Sequence, residues 1–332
     1  MILSVDNLHV NFTTGGGILE AVRGVRFDLD EGEILGIVGE SGSGKSVTAH
    51  ALMRLIPPNG AITAGTITYR GRDVASLGAE ELRAFRGRDV AMIFQEPGRS
   101  FDPIYSIGRS LAETLRAHEP ELSDEDVRAR SIQLLEEVHV SNPESRLDNF
   151  PHQFSGGLLQ RIMIAHALAG DPVVLIADEP TTALDVTIQA GVIDLLRELR
   201  RRRGLAIIFI THNLALISGF ADRLVVMYAG MVMEEGPVAE VIGSPRHPYT
   251  AGLLGSLVPF GTHHSEHPLR ILSGTPPDPT RHALGCPFAP RCPLVSDACR
   301  TAVPEIREDA DVQYRCVVDG VKTVSPKDGG AQ

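Results

Sequence analysis

The sequence predicts an α/β protein carrying a helical insertion and a small appended C-terminal region, and three observations predict it. Short apolar runs of buried-strand length alternate with helix-like stretches along most of the chain. Residues from about 105 to 165 instead read as mostly helical, an insertion of some sixty residues. From about 241 the composition turns rich in Pro, Gly and His and ends in a cysteine region and a polar tail.

Taken in order, Leu3–Val10 and Ala21–Leu29 read as strands separated by the Gly15-Gly16-Gly17 break. Glu33–Val38 is an apolar run ending in a glycine-rich turn, and Ser46–Leu55 has helical character up to Pro57-Pro58, giving strand, loop, helix. Thr66–Tyr69 and Val90–Phe94 are further strand-like segments. Within the helical insertion, Ser123-x-x-Asp126 reads as a capping box, with Val127, Leu134, Leu135 and Val138 as the apolar stripe behind it. Val173–Ala177 and Ala206–Ile210 then return as strands around a helix through Ile188–Leu199. No internal repeat is present.

Composition narrows the class. With 332 residues, 43% hydrophobic and 22% charged, the chain has the make-up of a globular protein of one large domain plus an appendage, or of two domains. No apolar run approaches the roughly 18 residues of a membrane-spanning helix, and the N-terminus lacks the pattern of a signal peptide, so a cytoplasmic protein is expected. A net charge of −11 argues against nucleic acid as a partner. Arg200 to Arg203 form the only tight basic block, read as a solvated helix end. Only three lysines occur, Lys45, Lys322 and Lys327. Where arginine serves almost everywhere else, a lysine at 45 points to a site that needs a compact point charge.

Such a site is apparent around it. Gly39-Glu40-Ser41-Gly42-Ser43-Gly44-Lys45-Ser46 fits G-x-x-x-x-G-K-[ST] and sits between a strand and a helix, as phosphate binding requires. Glycines let backbone N–H groups face phosphate oxygens. Lys45 is expected to reach the β- and γ-phosphates and the Ser46 hydroxyl to ligate Mg²⁺. The strand Val173–Ala177 delivers two carboxylates at its tip, Asp178 for the Mg²⁺ shell and Glu179 to polarise an attacking water. Upstream, Phe154-Ser155-Gly156-Gly157-Leu158-Leu159-Gln160-Arg161 opens a helical run, a second anion site.

This ordered set resembles the ABC ATPases, P-loop NTPases of RecA-like fold, over about residues 1–245. Their signature is Leu-Ser-Gly-Gly-Gln, from which this chain departs at Phe154 and Leu158. The resemblance implies a Q-loop glutamine at Gln95, which also serves Mg²⁺, a D-loop at Ala183-Leu184-Asp185, a switch histidine at His212 and an adenine-stacking aromatic at Phe12. It further implies ATP and Mg²⁺ as bound species and head-to-tail pairing, so that nucleotide on Gly39–Ser46 faces Ser155, Gly156 and Gly157 of the other chain. Three stretches are similar to the oligopeptide/dipeptide importer ATPases: Glu179-Pro180-Thr181-Thr182-Ala183-Leu184-Asp185-Val186-Thr187-Ile188-Gln189, then Phe94-Gln95-Glu96-Pro97 with Phe101-Asp102-Pro103, and Arg246-His247-Pro248-Tyr249-Thr250.

On that resemblance the chain divides into a cassette at 1–242, with a helical subdomain at about 100–165, and an importer-type extension at 243–332. The implied partners are a second ABC ATPase in a heterodimer, two membrane permeases and an extracytoplasmic binding protein. The implied location is peripheral, on the cytoplasmic face of the inner membrane. Peptides are the expected cargo; nickel or another small substrate is the alternative, because related importers share these motifs. A non-transport ABC ATPase fits less well, since such proteins carry two cassettes or long coiled-coil insertions and one phosphate loop stands here.

The four cysteines form the pattern Cys286-x5-Cys292-x6-Cys299-x16-Cys316, and no other cysteine precedes them. A cytosolic setting disfavours disulfides, and the spacing is wider than the short pairs of structural zinc sites. A metal, an iron–sulfur cluster or no metal all remain open on spacing. The peptide-importer ATPases are similar here, and their four-cysteine set implies a [4Fe–4S] cluster, with Zn²⁺ as the alternative. His263, His264, His267 and His282 are read as surface histidines.

Overall fold

The structure is a computed structural model that describes residues 1–182, 184–256, 272–280, 284–319 and 321. Ala183, the four histidines just named, Lys322 and Lys327 lie outside the described residues. The chain forms two compact units. One comprises Met1, Leu29–Glu33 and Arg72–Ile210; the other comprises Ile2–Asp28, Ile34–Gly71 and the chain from Thr211 onward.

The strands, in chain order, are β1 (Leu3–Thr14), β2 (Gly17–Leu29), β3 (Ile34–Val38), β4 (Gly60–Tyr69), β5 (Arg72–Asp73), β6 (Val90–Ile93), β7 (Val174–Asp178), β8 (Ala206–Thr211), β9 (Arg223–Tyr228), β10 (Met231–Pro237), β11 (Arg307–Asp309) and β12 (Val312–Tyr314).

In the first unit β6, β7 and β8 run parallel, with Val90 opposite Val174 and Val174 opposite Ala206. Every residue of β7 and of β8 is buried, and apart from Asp178 and Thr211 all are apolar. Strands covered on both faces lose the alternating pattern and read as continuous apolar runs. The helical region contains Ile107–His118, Asp124–Glu137 and Gly156–Leu168. Ser106, Ser123 and Ser155 cap these three helices, each accepting a backbone N–H from the first turn. At Ser123 the expected box is half formed: its Oγ accepts the Asp126 N–H at 3.1 Å but donates its own proton to the Asp126 carboxylate at 2.6 Å.

The helix Val186–Arg203 joins β7 to β8 and stops at Gly204, whose φ of 66° suits glycine. Its basic end departs from the expected solvated run. Arg203 makes two 2.6 Å bonds to both oxygens of Glu137 and one of 2.8 Å to Asp171, and Arg200 donates to the Gly32 carbonyl at 2.7 Å. The Arg203 and Glu137 side chains are 16% and 15% exposed, so this forked pair ties the helix to the helical region from a largely covered position.

In the second unit β2, β1 and β4 lie side by side, β1 and β4 antiparallel, and β3 pairs with β9 in parallel. β9 and β10, strands that the sequence does not announce, pair antiparallel, and β12 adds to the other edge of β10 with Tyr314 opposite Glu234. The C-terminal region therefore extends a sheet that also carries β3, the strand leading into the phosphate loop. Its apolar anchors Phe288 and Val312 are fully buried.

Candidate functional site

The phosphate loop follows β3 in the second unit. Gly39 and Gly44 have φ of 157° and 100°, and side chains there would strike the Met227 carbonyl and the Ala21 carbonyl respectively. The helix after the loop runs Lys45–Leu52, shorter than the expected Ser46–Leu55. Lys45 is buried, and its Nζ donates to the carbonyls of Gly39 at 2.8 Å and Glu40 at 3.0 Å and lies 3.5 Å from the Ser43 hydroxyl. Gly230 donates its N–H to the Ser43 carbonyl at 3.0 Å, fixing the far side of the loop. Ser41 and Gly42 are exposed at the crest, and Ser46 is half-buried. Phe12 is half-buried on β1 opposite Gly60, where any side chain would collide with its ring. His212 is exposed directly after β8.

The first unit holds the paired carboxylates. Asp178 is buried at the end of β7. Glu179 follows with φ 48°, a conformation that costs a β-unbranched residue on the order of 1 kcal/mol and turns its side chain out of the strand. Its carboxylate accepts the Gln95 Nε2 at 3.1 Å and the Thr182 hydroxyl at 2.8 Å. Gln95 thereby donates one of its two amide N–H groups to Glu179. Thr182 has no role assigned to it by sequence, although it stands within the quoted Glu179–Gln189 run.

Ser155 stands exposed as N-cap of the helix Gly156–Leu168, its Oγ accepting the Leu158 N–H at 3.4 Å. Gly157 passes the next helix so closely that a Cβ would lie 2.7 Å from Ile188. Asp185 caps that next helix through Oδ1 to the Ile188 N–H at 2.9 Å. The Phe154 ring carries the Arg146 guanidinium at 5.7 Å, and Leu158 is half-buried.

Cys286, Cys299 and Cys316 are buried, Cys292 is half-buried, and none is in a disulfide. Burial pushes the Cys286 thiol up to about 11, with Cys299 and Cys292 nearby adding to the shift. Burial likewise raises Cys292, with Cys316 and Cys299 adding to the shift, and raises Cys316, with Cys299 and Glu234 adding to it. The Cys286 N–H donates to the Cys299 carbonyl at 2.8 Å, and the Val318 N–H points at the Cys316 sulfur at 3.4 Å. The four thiols are thus gathered within electrostatic reach. Among the described residues, however, no three His, Cys, Asp or Glu side chains are drawn in tightly enough to hold a metal ion.

Residues 22–182 match the family described as ABC transporter, and residues 233–299 match the one described as oligopeptide/dipeptide transporter, C-terminal region. The oligopeptide transport ATP-binding protein OppD of Bacillus subtilis is 48% identical over 291 residues, 87% of this chain and 81% of that one. The dipeptide transport ATP-binding protein DppD of the same organism is 46% identical over 312 residues, 93% and 92% of the two chains. This chain belongs to the oligopeptide/dipeptide ABC transporter ATP-binding family.

The fold agrees with that membership. The dimeric structure of the ATP-binding cassette MJ0796 in a post-hydrolysis state with ADP and Pi aligns with a TM-score of 0.64 at 26% identity, covering 71% of this chain and 99% of that one. The cbiO1 protein of Clostridium perfringens, part of the ABC transporter complex cbiONQ, aligns at 0.62 and 26% identity, covering 73% and 90%. The α/β ABC cassette expected from the sequence is the fold found. Among the described residues of this ABC ATPase no helix is long and apolar enough to cross a membrane.

Proposed function

We propose that this chain hydrolyses ATP to drive a peptide importer whose membrane-spanning parts are separate chains. The observation that carries the catalytic reading is the Gln95–Glu179 hydrogen bond at the tip of β7, beside the buried Asp178. A carboxylate that only accepts must take the amide N–H of Gln95, so the amide oxygen remains free to serve a cation. Glu179 is thus both oriented and linked to the residue that reports on the metal.

In this reading the N–H groups of Gly39–Ser46 cradle the phosphates, and Lys45 exchanges the Gly39 and Glu40 carbonyls for β- and γ-oxygens. Ser46, Asp178 and Gln95 would hold Mg²⁺, which when bound neutralises charge on the β- and γ-phosphates. Glu179 holds the attacking water as general base, His212 contacts the γ-phosphate, and Phe12 stacks on adenine. Ser155, Gly156 and Gly157, with Asp185 beside them, act on nucleotide held by a second ATPase subunit in a heterodimer. Two permeases hold this chain at the cytoplasmic face of the membrane, and an extracytoplasmic binding protein completes the transporter. The names of OppD and DppD support peptide cargo. Proteoliposomes with the full assembly should take up labelled di- or oligopeptides in an ATP-dependent way; uptake of nickel or another small solute in place of peptide would overturn the cargo.

The four cysteines are proposed to hold a [4Fe–4S] cluster. Their soft donor set, mutual proximity and backbone N–H contacts fit such a group, and closure of the thiols around it would be required. Anaerobically purified protein should be brown with iron and sulfide near four each per chain, and Cys299→Ser should bleach it. Colourless protein with one zinc per chain would favour Zn²⁺ instead.

A further inference from the structure

The phosphate loop contains one acidic residue, Glu40, next to Gly39. A carboxylate in a loop that binds a polyanion works against the ligand unless its charge is compensated. Here the compensation comes from the C-terminal region. Arg291 spans Glu40 with both prongs, Nη1 to Oε2 at 2.7 Å and Nη2 to Oε1 at 2.9 Å, and its side chain is 5% exposed. Its remaining donors are used as well: Nη1 to the Tyr228 hydroxyl at 3.1 Å, Nη2 to the Leu272 carbonyl at 3.2 Å and Nε to the Ser273 carbonyl at 3.0 Å. A guanidinium fixed at every nitrogen has no freedom to follow another anion.

The same loop residue is held a second time. Its N–H donates to the Tyr249 hydroxyl at 2.9 Å, and its carbonyl takes the Lys45 Nζ at 3.0 Å. Tyr249 is itself set by the His247 Nδ1, which accepts the Tyr249 N–H at 3.0 Å, while Glu234 accepts the His247 N–H at 3.0 Å. The rings of Tyr228, Tyr249 and Phe288 pack with centroids 4.6 to 5.5 Å apart, so the support is rigid. Phe288 and Arg291 both lie in the short segment between Cys286 and Cys292.

We propose that Arg291 is a positioning residue of the nucleotide site: by pairing with Glu40 it cancels the carboxylate of the phosphate loop, so that the segment between Cys286 and Cys292 sets the affinity for nucleoside triphosphate. The inference rests on the reading of Gly39–Ser46 as the ATP site. Losing Arg291 leaves an uncompensated negative charge beside the bound phosphates, and its penalty grows with their number. A merely structural role would weaken adenosine and ATP alike.

The experiment is a calorimetric titration of the full chain with adenosine, ADP and ATP in the presence of Mg²⁺. Arg291→Gln should raise the ATP Kd about tenfold and the ADP Kd less, with adenosine unchanged. Glu40→Gln/Arg291→Gln should recover ATP binding to within about threefold of wild type, because the charge and its partner leave together. Should Arg291→Gln fail to fold, Arg291→Met with and without Glu40→Gln reads the same coupling, since methionine removes the charge while keeping an unbranched side chain of similar reach. An unchanged ATP Kd in Arg291→Gln, an equal loss for adenosine and ATP, or no recovery in the double variant would overturn the inference alone. A wild-type chain that binds no ATP would overturn the loop reading with it.

Discussion

Lys45 shows how much the identity of a single residue can disclose. In a chain with three lysines its presence is informative, and its surroundings explain why: the ammonium fits among two carbonyls and a hydroxyl within 3.5 Å. The planar, five-donor arginine fork cannot enter that space without displacing the loop. Lys45→Arg should therefore reduce ATP affinity by about tenfold or more in equilibrium titration, in a protein that accepts arginine almost everywhere else; normal affinity would remove Lys45 from the phosphate contacts. Other residue-scale facts are not legible in the sequence. A glutamine after a strand has many uses, and only the fold shows Gln95 and Thr182 converging on Glu179. Glu40 and Arg291 are 251 positions apart, and nothing local in either segment announces their pairing.

At the scale of elements, legibility follows burial. β7 and β8 are plain because strands covered on both faces are unbroken apolar runs. β10 escapes a reading by pattern because Glu234 and Glu235 interrupt it, although Glu234 is fully buried and accepts the N–H groups of Arg246 and His247. The arginine block reads as solvated because helix-end cations usually are, whereas Arg203 meets Glu137 and Asp171 from elsewhere in the chain.

The helix Gly156–Leu168 carries a further buried feature, His166, whose Nδ1 lies 3.3 Å from the Thr114 hydroxyl and whose Nε2 has no hydrogen-bond partner. Burial lowers its pKa to about 4. The unfolded chain, with an ordinary imidazole, binds the proton first as pH falls below about 6.5. Stability is therefore lost between pH 6.5 and about 4, by about 3 kcal/mol from this group. His166→Leu should lose about that much less than wild type over the same interval in denaturant titrations; parallel pH curves would show that His166 is not buried neutral.

For the whole molecule, the sequence conveys the cassette and its order of motifs, because each motif sits at the end of a strand or the start of a helix whose periodicity is local. It conveys less about the C-terminal region. Short strands and proline-rich turns carry little periodicity, so the addition of β12 to β10 and the reach of Arg291 into the phosphate loop emerge from long-range pairing alone. The same limit applies to the cysteines, whose spacing suggests a shared ligand while their gathering depends on the surrounding fold.

Glu179, the proposed general base, is held by Gln95 and Thr182. Glu179→Gln keeps the shape and removes the charge proposed to polarise water, so ATP should still bind and the proposed ATPase pair should accumulate closed. The direct measurement is single-turnover ATP hydrolysis by the assembled transporter carrying this variant. A rate lowered by about 10²- to 10⁴-fold with ATP retained is expected; hydrolysis at near the wild-type rate would remove Glu179 as the base.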